Sequence, residues 1–313
     1  MPLKVTNPGT LALLVDYGRQ GYQHLGVSSG GPMDEYAFLW ANRLLDNQFN
    51  AAQIEISYGP FFAEIQEPAN FSITGADLSA KLNDQALAPW STFSAQAGDV
   101  LSFYVARQGL RAYLAVQGGF SAKAILGSCT TVMREHLGGI EGEGNSLKKG
   151  DAVSYSRNSK PIPLRTPAPK YIPDYAQELK LGVILGYQDK YFSESSLKRF
   201  FNTEYQISAQ FDRMGYRLSG EKLDCELSGI LSEGISLGAI QVPPDGQPIV
   251  LLRDRQTIGG YPKLGVVNSL DTSLLAQKKV GDKVRFESVD LESSLKKRRA
   301  FNNFFGIREQ SLL

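Results

Sequence analysis

Short apolar runs rich in Val, Ile, Tyr and Phe alternate with Gly- and Pro-bearing breaks along most of the chain. That pattern predicts strands, because β-branched and aromatic side chains suit a pleated, half-buried surface. One pattern recurs three times: Gly98-Asp99 before Val100–Phe103, Gly150-Asp151 before Ala152–Tyr155, and Gly281-Asp282 before Lys283–Phe286. Glycine supplies a positive φ and the aspartate can bond back into the turn, so each copy reads as a turn that launches a strand ending in an aromatic. Helical spacing is rarer. Behind Asp34, a capping residue, Ala37, Trp40, Ala41, Leu44 and Leu45 fall on one face. Leu197, Phe200 and Phe201 predict a second helix, started near Ser193 or Ser195. A third is predicted from Asp290 to about Phe305, with Leu291 and Leu295 inward. The basic run Lys296–Arg299 falls in its later half, where cations suit the helix dipole, and reads as a solvated face.

Five prolines (Pro161, Pro163, Pro167, Pro169 and Pro173) crowd the stretch between Ser156 and Tyr175. Proline at that density blocks helix and central strand. The expected organisation is therefore a β-barrel domain over 1–157, a Pro-rich linker over 158–175, and a second β-barrel domain with a C-terminal helix over 176–313. The fold class is mainly β, with a few short helices.

Composition narrows the chemistry. Lys plus Arg number 33 and Asp plus Glu 32, a net charge of +1, with no basic stripe, so no nucleic-acid partner is expected. His24 and His136 are the only histidines, and Cys129 and Cys225 the only cysteines. No metal site and no disulfide scaffold follow from such a set. No apolar stretch approaches the roughly 18 residues of a membrane span, and no signal peptide is visible. The expectation is a cytoplasmic protein with no membrane association.

Gly26-Val27-Ser28-Ser29-Gly30 fits G-x-S-x-G but lacks the strand-to-helix context of a nucleophile elbow, so a Gly/Ser loop is the better reading. No Walker-type loop, dinucleotide fingerprint or biotin-attachment sequence is present. The densest polar stretch is Gly238 to Gly265. There Gln241, Asp245, Arg255 and Lys263 surround the diglycine Gly259-Gly260 and Tyr261. Arg offers forked contacts to an anion and Lys a point charge. Two further clusters mix Arg, Asp and Tyr around glycine: Asp16 to Gln23, with Arg19, Tyr22 and Gln23, and Gln210 to Leu218, with Arg213 and Tyr216. The competing reading of all three is a corner where Arg satisfies carbonyls or forms surface pairs.

Six segments in order resemble one family. Asp16-x-Gly-Arg-x-Gly-Tyr-Gln23 with Ser29-Gly-Gly-Pro-Met-Asp34, then Ile73-Thr-Gly-Ala-Asp-Leu78, then Gly109-Leu-Arg-Ala-Tyr-Leu-Ala-Val-Gln-Gly-Gly119 are similar to the biotin-dependent carboxyltransferase-like family. Asp212 to Leu218, Gly238 to Pro248 and Thr257 to Lys263 complete the series. That family includes the C subunit of 5-oxoprolinase (KipA type), the second polypeptide of allophanate hydrolase and the second half of the urea carboxylase carboxyltransferase domain. The chain departs from it by an extra residue before Met33-Asp34, and by lacking an arginine after Ser128 and at Glu143. The resemblance implies cyclophilin-like β-barrels. It also implies ATP-dependent opening of 5-oxo-L-proline to L-glutamate. Two partners are implied, a barrel-like B subunit together with an A subunit; ATP is used by the complex, and no covalent biotin is carried on this chain. On matched positions, Arg255 and Lys263 are candidate catalytic clamps, and Asp34 and Asp245 candidate bases or cation-orienting groups. Arg19, Tyr22, Gln23, Arg213, Tyr216, Gln241, Gly259, Gly260 and Tyr261 are candidate substrate-binding residues. Alternatives are a biotin-dependent carboxyltransferase component acting on urea or a similar small amide, and a regulatory module that antagonises a kinase inhibitor.

Overall fold

The computed structural model describes residues 2–158 and 160–307. Residues 1, 159 and 308–313, which fall inside the expected bounds 1–157, 158–175 and 176–313, lie outside the described residues. The chain forms two compact units, one of Met1–Gln20 with Gly30–Ala176, the other of Gly21–Ser29 with Gln177–Leu313.

The first unit is built from two sheets. One runs, in spatial order, Phe120–Ser121, Ala152–Tyr155, Pro2–Asn7, Phe61–Ile65, Val100–Phe103, Lys81–Leu82 and Gln85–Ala86; the other runs Leu11–Val15, Gln53–Ser57, Gln108–Val116, Ala69–Asp77 and Ser91–Ala95. Side chains from both sheets share one core, including Leu3, Val5, Ile54, Ile56, Phe71, Leu101, Phe103 and Leu114. Strand Gln53–Ser57 shows why the second sheet is buried on both faces. Ile54 and Ile56 point into the core, and the alternate Gln53, Glu55 and Ser57 are buried on the other face.

Helix α1 (Glu35–Leu44) covers that other face. The five positions expected on one face are all buried, and so are Phe38, Leu39 and Asn42. The sheet meets the helix through polar side chains. Gln53 Nε2 donates to Phe38 O (2.8 Å), Ser72 Oγ to Ala41 O (2.8 Å) and Thr74 Oγ1 to Ala37 O (2.7 Å). The Pro-rich stretch lies along this unit. Arg165 exchanges hydrogen bonds with Thr92 and donates to Leu44 O at the end of α1. Tyr171 packs on Trp40 at 5.4 Å and accepts at its carbonyl from Tyr36 OH.

The second unit is a closed seven-stranded barrel: Leu179–Leu185, Lys263–Val267, Ala239–Gln241, Ile249–Leu251, Gly215–Ser219, Tyr205–Phe211 and Lys283–Ser288. Closure comes from the parallel pairing of Leu179–Val183 with Val284–Ser288. A separate ribbon pairs Glu233–Gly234 with Ile258–Gly259. Helix α2 (Glu194–Asn202) is capped by Ser193 and stacks Phe200 on Phe286 at 4.3 Å. A short helix α3 spans Asp271–Leu275. Helix α4 (Leu291–Phe305) is capped by Asp290 as expected. Its inward face differs from the expectation: Leu291 and Leu295 are 56 % and 45 % exposed. The covered seam runs through Ser294, Arg298, Phe301 and Phe305, about 100° around the helix from Leu295. Lys296–Arg299 sits mid-helix, outside the last turn. Among the described residues no helix is long and apolar enough to cross a membrane.

The three Gly-Asp turns are built alike in both units. Gly98, Gly150 and Gly281 have φ of 89°, 96° and 85°. Asp99, Asp151 and Asp282 accept at their carboxylates from the main-chain N–H three residues before. Each glycine N–H then donates to one strand residue (Ile65, Val5 or Ile207), whose own N–H donates to the following aspartate carbonyl. The first two launched strands end in the buried Phe103 and Tyr155, whereas the third runs two residues past the buried Phe286, to Ser288.

Glycine is required for a different reason at Gly138, where a Cβ would sit 1.9 Å from Thr130 O, whereas at Gly98 it would meet nothing within 4 Å. Substituting Gly98 by Ala is expected to cost about 1–2 kcal/mol of left-handed strain. Gly138→Ala adds a backbone clash and should reach about 3–5 kcal/mol, the range of severe core changes. Chemical denaturation of the two variants checks the difference, and equal midpoints would contradict the packing described.

Candidate functional site

The outer wall of the barrel carries a cavity of about 500 Å³ lined by Gln210, Asp212, Arg217, Gln241, Gln256 and Tyr261, over Gly215, Ile249 and Leu251. Strand register explains its floor. Arg217 pairs with Ile249, and Ile249 with Gln241, so the three form one row across adjacent strands. Directly paired residues share a face. The residues next to them, Tyr216, Val250 and Ile240, point the other way and are fully buried in the barrel. Gly215 and Leu251 form the neighbouring row, and a Cβ at Gly215 would lie 2.9 Å from Val250 O and 3.1 Å from Leu251 Cδ2.

Two polar groups on this wall stand out. Arg217 ion-pairs with Asp245, and Asp245 is itself held by the Gln247 N–H at 3.1 Å. Gln241 is 2 % exposed, and its Nε2 has no hydrogen-bond partner. A buried donor left unsatisfied costs about 1–3 kcal/mol. Gly259 makes room for this amide: a Cβ there would lie 2.7 Å from Gln241 Nε2 and 2.5 Å from Ile235 Cδ1. The diglycine thus clears space for protein side chains, and Gly260 accepts at its carbonyl from the Ile230 N–H.

Of the residues singled out from sequence, Gln241 and Tyr261 line this cavity, and Asp245 orients its arginine. The other cations singled out in this unit, Arg213, Arg255 and Lys263, are engaged elsewhere. Arg213 makes a two-pronged pair with Asp254, Nε to Oδ2 at 2.8 Å and Nη2 to Oδ1 at 3.0 Å, both residues 6 % exposed. Arg255 donates to the carbonyls of Ile235 and Leu252, each at 3.2 Å. Burial, with Arg253 adding repulsion, pushes its guanidinium down to about 10, so it stays cationic at neutral pH. Lys263 Nζ bridges Gly234 O at 3.0 Å and Glu233 at 2.5 Å, and so anchors the ribbon. Hydrogen bonds from Lys263 first, then from Tyr187, hold the Glu233 carboxyl below its ordinary range. Tyr216 is fully buried and donates to Ala276 O at 3.4 Å. Tyr22 and Gln23 sit at a single 3-10 turn over Gln23–Leu25. Ser28 of the G-x-S-x-G stretch is 1 % exposed and donates to Arg255 O at 2.8 Å.

The first unit holds Arg19 and Asp34. Arg19 is 1 % exposed and donates to the carbonyls of Ile125 and Ser128, at 3.0 and 3.3 Å. Asp34 caps α1 through Ala37 N–H (3.0 Å) and accepts from Tyr175 OH (2.8 Å) at 1 % exposure. Beside it, Glu55 accepts from Tyr113 OH at 2.7 Å and from the Met33 N–H at 2.9 Å. Asp16 accepts from Ser128 Oγ and from the Cys129 N–H. Burial, aided by Asp16, pushes the Cys129 thiol well up, which makes it an unreactive core thiol. Glu143, one of the departures noted above, lines a second cavity of about 350 Å³ with Glu141, Asn145 and Lys148.

Sequence reasoning passed over Arg217 and Gln256. Alternation along Gly215–Ser219 was the available signal, since an aromatic at 216 pointing inward places 217 outward.

A closed barrel carrying a polar cavity on its wall, in a chain whose other unit is a two-sheet core, defines a two-unit β protein. The chain belongs to the family described as carboxyltransferase domain, subdomain A and B, which it matches over residues 25–288. It is 35 % identical over 297 residues to the C subunit of 5-oxoprolinase from Haemophilus influenzae, covering 92 % of this chain and 91 % of that one. The Escherichia coli protein of the same name is 34 % identical, with coverages of 97 % and 96 %. Among solved structures, Kluyveromyces lactis urea carboxylase superposes with a TM-score of 0.89 at 28 % identity. All of this chain is covered in that comparison, which spans only 30 % of the urea carboxylase.

Asp34→Ala removes a cap and strands the buried Tyr175 hydroxyl. The expected loss is about 2–4 kcal/mol of unfolding free energy, with Asp34→Asn, an equally good cap, recovering most of it. Denaturant titration of both variants is the check. An unchanged midpoint for Asp34→Ala would contradict this structural role and leave the carboxylate available for chemistry.

Proposed function

We propose that this chain is the C subunit of a 5-oxoprolinase. With its A and B partners it would hydrolyse 5-oxo-L-proline to L-glutamate at the expense of ATP. The observation that carries this reading is the full-length likeness, near 35 % identity, to two curated proteins of that name. A name that designates one lettered component supports a multi-subunit enzyme. In the reaction, water adds its oxygen to the lactam carbon and the C–N bond breaks. The nitrogen leaves as the amine; ATP passes its terminal phosphoryl group to the lactam oxygen, leaving ADP, and a second water releases that group as phosphate. An unstrained five-membered lactam is a poor electrophile, so ATP activates its oxygen before water attacks. Donors aimed at that oxygen assist as negative charge develops. Carboxyl transfer to a small amide is the second reading, supported by the likeness to urea carboxylase.

The test is purification of this chain with its A and B partners, followed by assay of glutamate from 5-oxo-L-proline. Glutamate is expected only with ATP and all three chains present. An intact complex that releases none overturns the proposal. Carboxylation of urea by the same chain paired with a biotin carboxylase would favour the second reading.

A further inference from the structure

Arg217 and Gln241 stand two strands apart on one row of the barrel wall, with Ile249 between them. At about 4.8 Å per strand their backbones are separated by roughly 10 Å. Their side chains border one cavity of about 500 Å³, within the range of small-molecule sites. One end of this row is a guanidinium oriented by Asp245. The other is a buried amide whose nitrogen lacks an acceptor. Between them lies an apolar floor of Ile249 and Leu251, and Tyr261 lines the same cavity. A ligand that satisfies both ends carries a carboxylate for the guanidinium and a planar amide carbonyl for the buried amide.

We infer that this cavity binds a small lactam carboxylate, with the carboxylate on Arg217 and the amide oxygen on Gln241 Nε2. Asp245 is a positioning residue for Arg217, and Gly259 for Gln241. The inference rests on the proposed 5-oxoprolinase reading for the identity of the ligand, but its geometry belongs to this chain alone. The cations Arg213, Arg255 and Lys263 lie outside the cavity lining, each held by carbonyls or an acidic partner, so Arg217 supplies the charge that selects the anion.

Calorimetric titration of the full chain, alone and assembled with its partner chains, tests this with two probes: 5-oxo-L-proline and 2-pyrrolidinone, the same ring without the carboxylate. Arg217→Gln and Gln241→Leu are each expected to weaken 5-oxo-L-proline binding about tenfold or more, with thermal midpoints unchanged for the solvent-facing Arg217→Gln. For 2-pyrrolidinone, Arg217→Gln should change nothing, whereas Gln241→Leu should still weaken binding. Gly259→Ala, which displaces the amide, should mimic Gln241→Leu, and Arg217→Lys should recover part of the loss. Failure of wild-type protein to bind 5-oxo-L-proline saturably in either form, or equal affinity in wild type and both variants, overturns the inference. Glutamate release by a complex carrying Arg217→Gln and Gln241→Leu at wild-type KM would sink the site and leave the enzyme reading standing. Variant-sensitive binding in a chain whose complex makes no glutamate would do the reverse.

Discussion

The second unit depends on one pairing: Leu179–Val183 lies parallel to Val284–Ser288 and closes the barrel. Closure removes the free edges and fixes every strand's inner and outer face. Once Tyr216, Val250 and Ile240 fill the inside, Arg217, Ile249 and Gln241 must stand outside, in one row. A register slip of one residue would send the arginine into the core and the tyrosine into water. The row of Arg217, Ile249 and Gln241 is therefore a product of the ladder, while Asp212, Gln256 and Tyr261 reach the cavity from segments outside the barrel strands.

Burial decides what each cation does. Arg19, Arg213 and Arg255 are nearly inaccessible and are spent on main-chain carbonyls or on Asp254. A guanidinium taken out of water needs such partners, because its desolvation is larger than any single contact returns. Arg217 is the contrasting case. It is partly exposed, with Asp245 fixing its direction and the cavity beside it. The same contrast holds for the acids: Asp34 is fully used as a helix cap and Tyr175 acceptor, whereas Asp245 sits in a turn at the surface.

Much of the architecture was legible in the sequence because its signals are local. The three Gly-Asp turns, the Asp34 and Asp290 caps and the start of α2 near Ser193 depend on residues within a few positions of one another. The six ordered segments located the family, and the Gly238–Lys263 stretch and its neighbour at 212–218 do supply cavity walls. What escaped was set by tertiary packing. The Pro-rich stretch reads as a linker by composition, yet Tyr171 and Arg165 fasten it to α1 through contacts far apart in sequence. Leu291 and Leu295 look like an inward pair, but the small Ser294 takes the close approach. Within Asp212–Leu218 the two arginines are chemically identical, and only the face of the strand and the position of Asp254 separate a buried strut from a cavity residue.

The most direct test of this arrangement follows the side-chain amide of Gln241 by NMR as 5-oxo-L-proline is added to the isotope-labelled chain. A saturable shift of that NH2 pair is predicted, with the Gln53 amide, already donating to Phe38 O in the other unit, left in place. A Gln241 signal that stays fixed at saturating ligand would contradict the account.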